Sequence, residues 1–270
     1  MRTIEAGDGV TIRVRTIGEG SPVLLIPSLG RGVDDYDEVA DLLTGRGFKS
    51  ILPDPRGIGG SSGPAPADLF DLARDAAAVI TDFCSGPIGV VGHAFGNRVA
   101  RALAAIAPET VERVVLLAGG GQTAMSDTVR AALIGSVAQG SKPDADRLED
   151  LETAFFFPGN DPAIWLRGWY PAVAEQQLAA NERTDTARWW TAGNASVLLV
   201  QAEGDPVAPA SNAEALAADI GDRLIVVRLR RASHAILPEQ LHAVAALIAD
   251  YLRGESDSAA LQDTADRLIA

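Results

Sequence analysis

Apolar and polar residues alternate from residue 10 to residue 17, and a short, wholly apolar run follows at 22–26. The alternation predicts an antiparallel strand, and the continuous run predicts a strand that is buried on both faces. Farther along, helical periodicity alternates with short apolar runs: helices at 34–46, 69–83 and 96–107, strands at 50–52, 88–91 and 114–117. This alternation predicts an α/β fold, a mostly parallel sheet flanked by helices.

The alternation stops in the middle of the chain. Residues 122–193 contain helical patterns at 129–137 and 147–157 and no predicted strand. Strand patterns then return at 196–201 and 224–229, with helical patterns at 212–219 and 238–253. We therefore expect one core in two parts, 1–121 and 194–253, rather than two separate domains. A helical insertion at 122–193 interrupts it, and a polar tail, 254–270, either docks as a helix or frays.

Composition narrows the classes of partner. The chain has 36 acidic and 23 basic residues, a formal charge of −13, and no dense Lys/Arg cluster, so nucleic acid is not expected as a partner. Cys84 is the only cysteine, which excludes an intrachain disulfide and is compatible with a reducing compartment. No signal-peptide pattern and no membrane-length apolar run is present, so we expect a cytoplasmic monomer or homodimer without membrane contact.

The strand at 88–91 runs into a glycine-flanked turn, Gly92-His93-Ala94-Phe95-Gly96, and then into a helix. Ligands of parallel sheets bind at the carboxyl ends of strands, which makes this turn a candidate site. The residues alone also fit an ordinary glycine-rich turn. The segment resembles the nucleophile elbow of the α/β-hydrolase family, GxSxG, with Ala94 where that family has serine.

The resemblance implies a catalytic triad, whose acid and histidine follow the nucleophile in chain order. Asp205, in the loop after the strand at 196–201, is the expected carboxylate. His234, after the next strand, is the expected general base. The imidazole of such a triad takes the proton of the nucleophile, and the carboxylate fixes the imidazole tautomer. The other two histidines, His93 inside the elbow and His242 in the last helix, fit this role less well.

Residues 54–61 resemble the DxRGxGxS loop of the same family, which is structural and borders the site. A phosphate-binding glycine loop is the alternative interpretation. Such a loop must open a helix, and Pro64 and Pro66 follow this one too closely. Nucleotide binding is therefore not expected.

The resemblance also implies an oxyanion hole made by two backbone N–H groups, those of Leu29 and Phe95. Here the sequence departs from the family, because Pro27 and Ser28 replace its usual His-Gly pair. A backbone donor survives this change. Ser28 and Arg31 are candidates for additional substrate contacts.

The family carries insertions of this kind as a lid over the site, and the aromatic residues of 122–193 suit an apolar or ring-bearing ligand. The candidate substrate-binding residues here are Trp165, Trp169, Tyr170, Trp189 and Trp190, with Phe155, Phe156 and Phe157 adding aromatic surface. The resemblance implies a serine-type hydrolase acting on a small hydrophobic or aromatic substrate, an ester or lactone. It requires no metal or organic cofactor.

Two alternatives remain open. One is a carbon–carbon bond hydrolase of ring-cleavage products, in which Arg98, Arg167 or Arg188 would hold a substrate carboxylate. The other is a noncatalytic ligand-binding protein of hydrolase descent. Haloalkane and epoxide hydrolysis are disfavoured, because those relatives place aspartate at the elbow.

Ala94 itself has two explanations. It is a substitution made at a serine so that substrate binds without turnover, or it marks a natural loss of catalysis. Substitution predicts that every other catalytic part is intact, and the sequence retains all of them. We therefore expect an inactive Ser-to-Ala form of the hydrolase.

Overall fold

A computed structural model, which describes residues 1–269, places eight strands in one sheet. The strands are β1 (Arg2–Gly7), β2 (Val10–Ile17), β3 (Ser21–Ile26), β4 (Phe48–Pro53), β5 (Ile88–His93), β6 (Val111–Leu117), β7 (Ser196–Ala202) and β8 (Leu224–Leu229). Their order is β1-β2-β4-β3-β5-β6-β7-β8. β2 runs antiparallel to β1 and β4, and the other neighbours are parallel. The predicted mostly parallel α/β sheet is confirmed.

Ten α-helices accompany the sheet in the described residues. They are α1 (Asp37–Thr44), α2 (Leu69–Phe83), α3 (Phe95–Ile106), α4 (Asp127–Val137), α5 (Asp144–Ala154), α6 (Pro171–Glu182), α7 (Ser211–Ile220), α8 (Ile236–Glu239), α9 (Leu241–Leu252) and α10 (Ser258–Leu268). Several of them follow a residue whose side chain accepts a backbone N–H of the first turn. Ahead of α2, for example, the Asp68 carboxylate accepts the N–H of Asp71 at 3.0 Å. Such caps fix the residue at which each of these helices begins.

Two apolar layers cover the faces of the sheet. Because successive side chains of a strand point to opposite faces, Val90 of β5 packs with α2 and α3, whereas Val91 packs with α1 and α9. The central strands are therefore buried on both sides, and their carboxyl ends meet at one edge of the sheet. That edge is where the candidate residues lie.

The structure differs from the predicted elements in several places. α6 was not predicted, and the helix predicted at 34–46 begins as a 3-10 turn, Val33–Tyr36, ahead of α1. β1 was not predicted, because only Ile4 of its six residues is buried and no apolar pattern marks it. The helix predicted at 238–253 is two helices, α8 and α9, separated at Gln240.

Residues 122–193 hold α4, α5 and α6, and no strand of the described chain lies between β6 and β7. Within the tail, α10 buries Leu261 and Ala265 against the layer of α9, and Ala270 lies outside the described residues. The division into core, insertion and tail stays a prediction. No helix within residues 1–269 has both the length and the apolar character needed to cross a bilayer.

Candidate active site

The turn between β5 and α3 is sharp, and its central residue is strained. Ala94 has φ 50° and ψ −111°, a backbone state that costs an L-residue about 1–3 kcal/mol. A Cβ on Gly92 would lie 2.3 Å from the carbonyl oxygen of Gly96, and a Cβ on Gly96 would lie 2.3 Å from that of Ile26. Glycine is therefore required on both sides of Ala94, which explains the pattern in the sequence.

Asp205 and His234 are hydrogen-bonded to each other beside this turn. His234 Nδ1 lies 2.9 Å from Asp205 Oδ2 and 3.1 Å from Oδ1. The carboxylate also accepts the backbone N–H groups of Val207 and Ala208 at 2.9 and 2.8 Å. A carboxylate only accepts, so Nδ1 donates and Nε2 keeps its lone pair. The imidazole is thus oriented to act as a base.

Two further residues hold the His234 loop: the half-buried Glu239, which the sequence did not indicate, and the buried His93. Glu239 accepts the N–H of Ser233 at 2.6 Å and the side-chain amide of Asn160 at 2.8 Å, and burial raises the pKa of this carboxyl. His93 Nε2 lies 2.8 Å from the carbonyl oxygen of His234. Burial lowers the pKa of His93 to about 3, so the ring is neutral and Nε2–H donates. The glycine-flanked turn already pointed to His93, whereas Glu239 carries no local signal.

A cavity of about 370 Å³ opens in front of Ala94 and His234. Both predicted oxyanion donors line it. The Leu29 N–H has no acceptor within residues 1–269, and the Phe95 N–H belongs to the first residue of α3, where helices leave donors free. Ser28, Trp169, Phe155, Leu133, Ile134 and Val137 also line it. The cavity thus combines an oriented imidazole, free N–H donors and an apolar wall.

The loop that carries Leu29 is held in place from both ends. The N–H of Gly30 donates to Gln177 Oε1 on α6 at 2.8 Å, and the N–H of Arg31 donates to the Ser28 carbonyl at 3.2 Å. The replacement of the family's His-Gly pair by Pro27-Ser28 therefore leaves an ordered loop in which Leu29 lines the cavity.

Arg31 and Trp165, both predicted substrate contacts, lie beside the cavity rather than in it. The Arg31 guanidinium lies between the rings of Trp165 and Trp169, at 4.9 and 4.7 Å, and forms a buried ion pair with Asp35. Trp165 packs edge-on against His93 at 5.7 Å. Arg31 is not free to bind a ligand, because its guanidinium already donates to Asp35 and to the carbonyl of Arg167.

Three other aromatic candidates also lie away from the cavity. Trp189 and Trp190 pack on the guanidinium of Arg101 at 4.7 and 4.6 Å, and the Trp190 indole N–H donates to Asp219 at 2.7 Å. Tyr170 is 38% exposed and borders a separate depression shared with Arg31. Of the predicted aromatic contacts in the insertion, the cavity lining includes Trp169.

Of the three candidate arginines, Arg98 lines the cavity. Arg167 pairs with Asp144 at 2.7 Å on the surface, and Arg188 stacks on Phe70 at 4.4 Å.

The loop at 54–61 is held by internal hydrogen bonds. Asp54 accepts from Arg13 Nε at 3.1 Å, and Ser61 Oγ donates to the Asp54 carbonyl at 2.8 Å. Its polar groups are used within the protein, in keeping with a structural role.

The model of the alpha/beta hydrolase family matches residues 23–247. This span is most of the chain, and the chain belongs to the α/β-hydrolase family. Protein ABHD8 of Mus musculus is 28% identical over 110 residues, which are 40% of this chain and 25% of that protein. The match thus spans about a quarter of that relative's length.

Two solved structures show the same fold. The esterase from Exiguobacterium antarcticum superposes with a TM-score of 0.79 at 18% identity, covering 93% of this chain and 99% of that one. A meta-cleavage product hydrolase from Pseudomonas fluorescens, solved as a serine-to-alanine mutant complexed with acetates, superposes with a TM-score of 0.75 at 20% identity, covering 94% and 97%. At these identities the likeness concerns the fold alone.

Proposed function

We propose that the chain carries the site of a serine-type hydrolase with Ala94 at the nucleophile position. His234 is its general base, and Asp205 orients the imidazole. One observation carries the proposal: the strained turn at Ala94 and the base held by Asp205 face the same cavity. Backbone strain of this kind persists where a function requires it, and a methyl group there has no chemical use.

The mechanism follows from these positions once a hydroxyl replaces the methyl of residue 94. Nε2 of His234 takes the hydroxyl proton, and the oxygen attacks the substrate carbonyl. The N–H groups of Leu29 and Phe95 stabilise the oxyanion, and the imidazolium returns its proton to the leaving alcohol. The same base then activates water to release the acid. With alanine in place the chain binds substrate and forms no acyl intermediate, whether the alanine was introduced or acquired.

The cavity walls favour a hydrophobic ester or lactone as substrate. Its apolar lining comes from α4, α6 and two aromatic residues: Leu133, Ile134, Val137, Leu178, Phe155 and Trp169. Apolar walls with a few convergent polar groups suit a small organic substrate. In this proposal residues 122–193 act as the lid, since both α4 and α6 belong to them.

The test restores the hydroxyl in an Ala94→Ser variant. We expect hydrolysis of 4-nitrophenyl esters or aryl lactones at least about a hundredfold above the parent chain, because an elbow hydroxyl paired with imidazole is an activated nucleophile. The matched control is Ala118→Ser, which adds a hydroxyl to the same cavity at another positive-φ position. Ala118→Ser and the double variant Ala94→Ser/His234→Ala should stay at the parent rate.

The same assay separates the alternatives. Activity of Ala94→Ser confined to vinylogous diketones would instead indicate a carbon–carbon bond hydrolase, for which the cavity position of Arg98 is the supporting observation. Inactivity of a folded Ala94→Ser variant on all of these substrates would leave a noncatalytic ligand-binding protein of hydrolase descent.

A further inference from the structure

Arg98 lies in the first turn of α3 and lines the cavity together with Ala94 and His234. Throughout residues 1–269, its guanidinium takes part in no hydrogen bond to protein and in no ion pair. Burial lowers its pKa. A guanidinium nevertheless stays charged in proteins, so this positive charge lies at the cavity wall without a counterion.

The other buried arginines of the chain are satisfied. Arg101, one turn farther along α3, donates to the carbonyl of Gly120 and to the side chain of Asn97. Arg147 donates to the carbonyl of Ser136 at 3.0 Å and pairs with Asp144. Desolvating a charge without a partner is costly. Arg98 is partly buried, and its guanidinium, unlike those of Arg101 and Arg147, has no protein acceptor within residues 1–269.

The free N–H groups of Arg98 are not sealed inside the protein. The buried side-chain atoms that are both sealed from solvent and unpartnered include none of its nitrogens, so each reaches open space. On the protein side the guanidinium meets the ring of Trp189 at 5.9 Å, which offers no acceptor lone pair. Because Arg98 lines the cavity, a hydrogen-bond acceptor bound there can approach it.

The cavity also favours negative charge over positive charge. Two arginines, Arg98 and Arg130, line the cavity, and its lining includes one carboxylate, Glu182. Glu182 forms no ion pair with Arg98 within residues 1–269. The N-terminus of α3 adds partial positive charge close to Ala94. This local excess is the reverse of the chain's net charge of −13.

We infer that Arg98 binds a carboxylate of the substrate, so that the ester, lactone or ketone cleaved at residue 94 is an anionic acid derivative. Arg98 follows Ala94 by four residues, which is about one helical turn or roughly 5–6 Å along the axis. Two parallel N–H groups of a guanidinium match a carboxylate and fix its orientation. The substrate class rests on the proposed function, whereas anion binding itself needs no catalysis.

The test measures binding to the chain as it stands, with Ala94 in place. Calorimetric titration compares glutaric acid monoanilide, which carries a terminal carboxylate, with pentananilide, its neutral counterpart of equal chain length. We expect the carboxylate to bind at least about tenfold more tightly, as charge-assisted hydrogen bonds to arginine allow. The advantage should vanish in Arg98→Gln and persist in Arg167→Gln, the control at a surface arginine that pairs with Asp144 outside the cavity.

A purely structural role for Arg98 is tested separately by stability. Arg98→Gln removes an uncompensated charge, so its midpoint of thermal unfolding should equal or exceed that of the parent chain. Equal affinity for the two anilides, no binding of the carboxylate, or a carboxylate preference that survives Arg98→Gln overturns the inference. None of these results depends on whether Ala94→Ser hydrolyses esters, so the two proposals fail independently.

Discussion

His93 is a fully buried histidine whose ring packs near the rings of both Trp165 and His234, the proposed general base. Desolvation is the main cause of its lowered pKa, and the neighbouring His234 and Arg31 act in the same direction, whereas Asp205 opposes them. The Nδ1 atom has no partner. A proton added there would place a charge in a buried environment without a partner for it, so the ring stays neutral well above pH 3.

This neutrality makes stability depend on pH. The pKa of His93 in the folded protein, about 3, lies below the ordinary value of 6.5, so the unfolded chain binds the extra proton first as pH falls. The His93 contribution is complete above pH 6.5 and is lost toward pH 3, at about 1.4 kcal/mol per pH unit. Between pH 7 and pH 5, the free energy of unfolding measured with urea should therefore fall by about 2 kcal/mol more in the parent chain than in His93→Gln.

Glutamine is the matched replacement, because its amide can still donate to the His234 carbonyl while no group at position 93 titrates. The carboxylates of the protein titrate in both chains and cancel in the comparison. Identical pH dependence in the two chains would show that His93 does not resist protonation.

At the scale of elements, the turn between β5 and α3 depends on close approach of backbone to backbone. A Cβ at Gly96 meets the carbonyl oxygens of Ile26 and Pro27 at 2.3 and 2.6 Å, at the start of the Leu29 loop. We expect Gly96→Ala to lower the free energy of unfolding by at least about 2 kcal/mol, since neither backbone can move without disturbing the sheet.

Gly86→Ala is the control for this prediction. A Cβ at Gly86 has no neighbour within 4 Å, so its effect should stay within about 0.5 kcal/mol. Chemical unfolding at one pH measures both variants. Equal stabilities of Gly96→Ala and Gly86→Ala would mean that Gly96 lies farther from the carbonyl oxygens of Ile26 and Pro27 than the structure shows.

The predictable elements are those whose burial leaves a mark on the sequence. β3 and β5 contain runs without polar side chains, at 22–26 and 88–91, because both faces of the sheet are covered there, and these runs predict both strands. The break at Gln240 was not predictable, because its cause is tertiary: the Gln240 amide donates to the carbonyls of Arg230 and Arg231 at 3.3 and 3.2 Å. Contacts between neighbouring loops leave no periodic signal.

The same distinction applies to the candidate site. Asp205 and His234 could be proposed from chain order, because parallel strands bring their carboxyl ends to one edge. The abundance of tryptophan in the insertion predicts that Trp189 and Trp190 line the substrate cavity. Their actual partner is Arg101, nearly ninety positions away in sequence, and no local pattern reveals a cation–π contact over that separation.

In the whole molecule, the strand order explains how distant segments form one site. The turn after β5 carries Ala94, the loop after β7 carries Asp205, and the loop after β8 carries His234. The insertion between β6 and β7 supplies part of the apolar wall through α4 and α6. The account therefore depends on residue 94 being the position from which a nucleophile would act.

Covalent labelling tests that claim most directly. The Ala94→Ser variant is incubated with diethyl 4-nitrophenyl phosphate, and the modified residue is located by peptide mass spectrometry. The account predicts one diethylphosphoryl group, carried by residue 94, which is absent from the parent chain and from Ala94→Ser/His234→Ala. Labelling at Ser28, which lines the same cavity, or no labelling of a folded Ala94→Ser variant would contradict it.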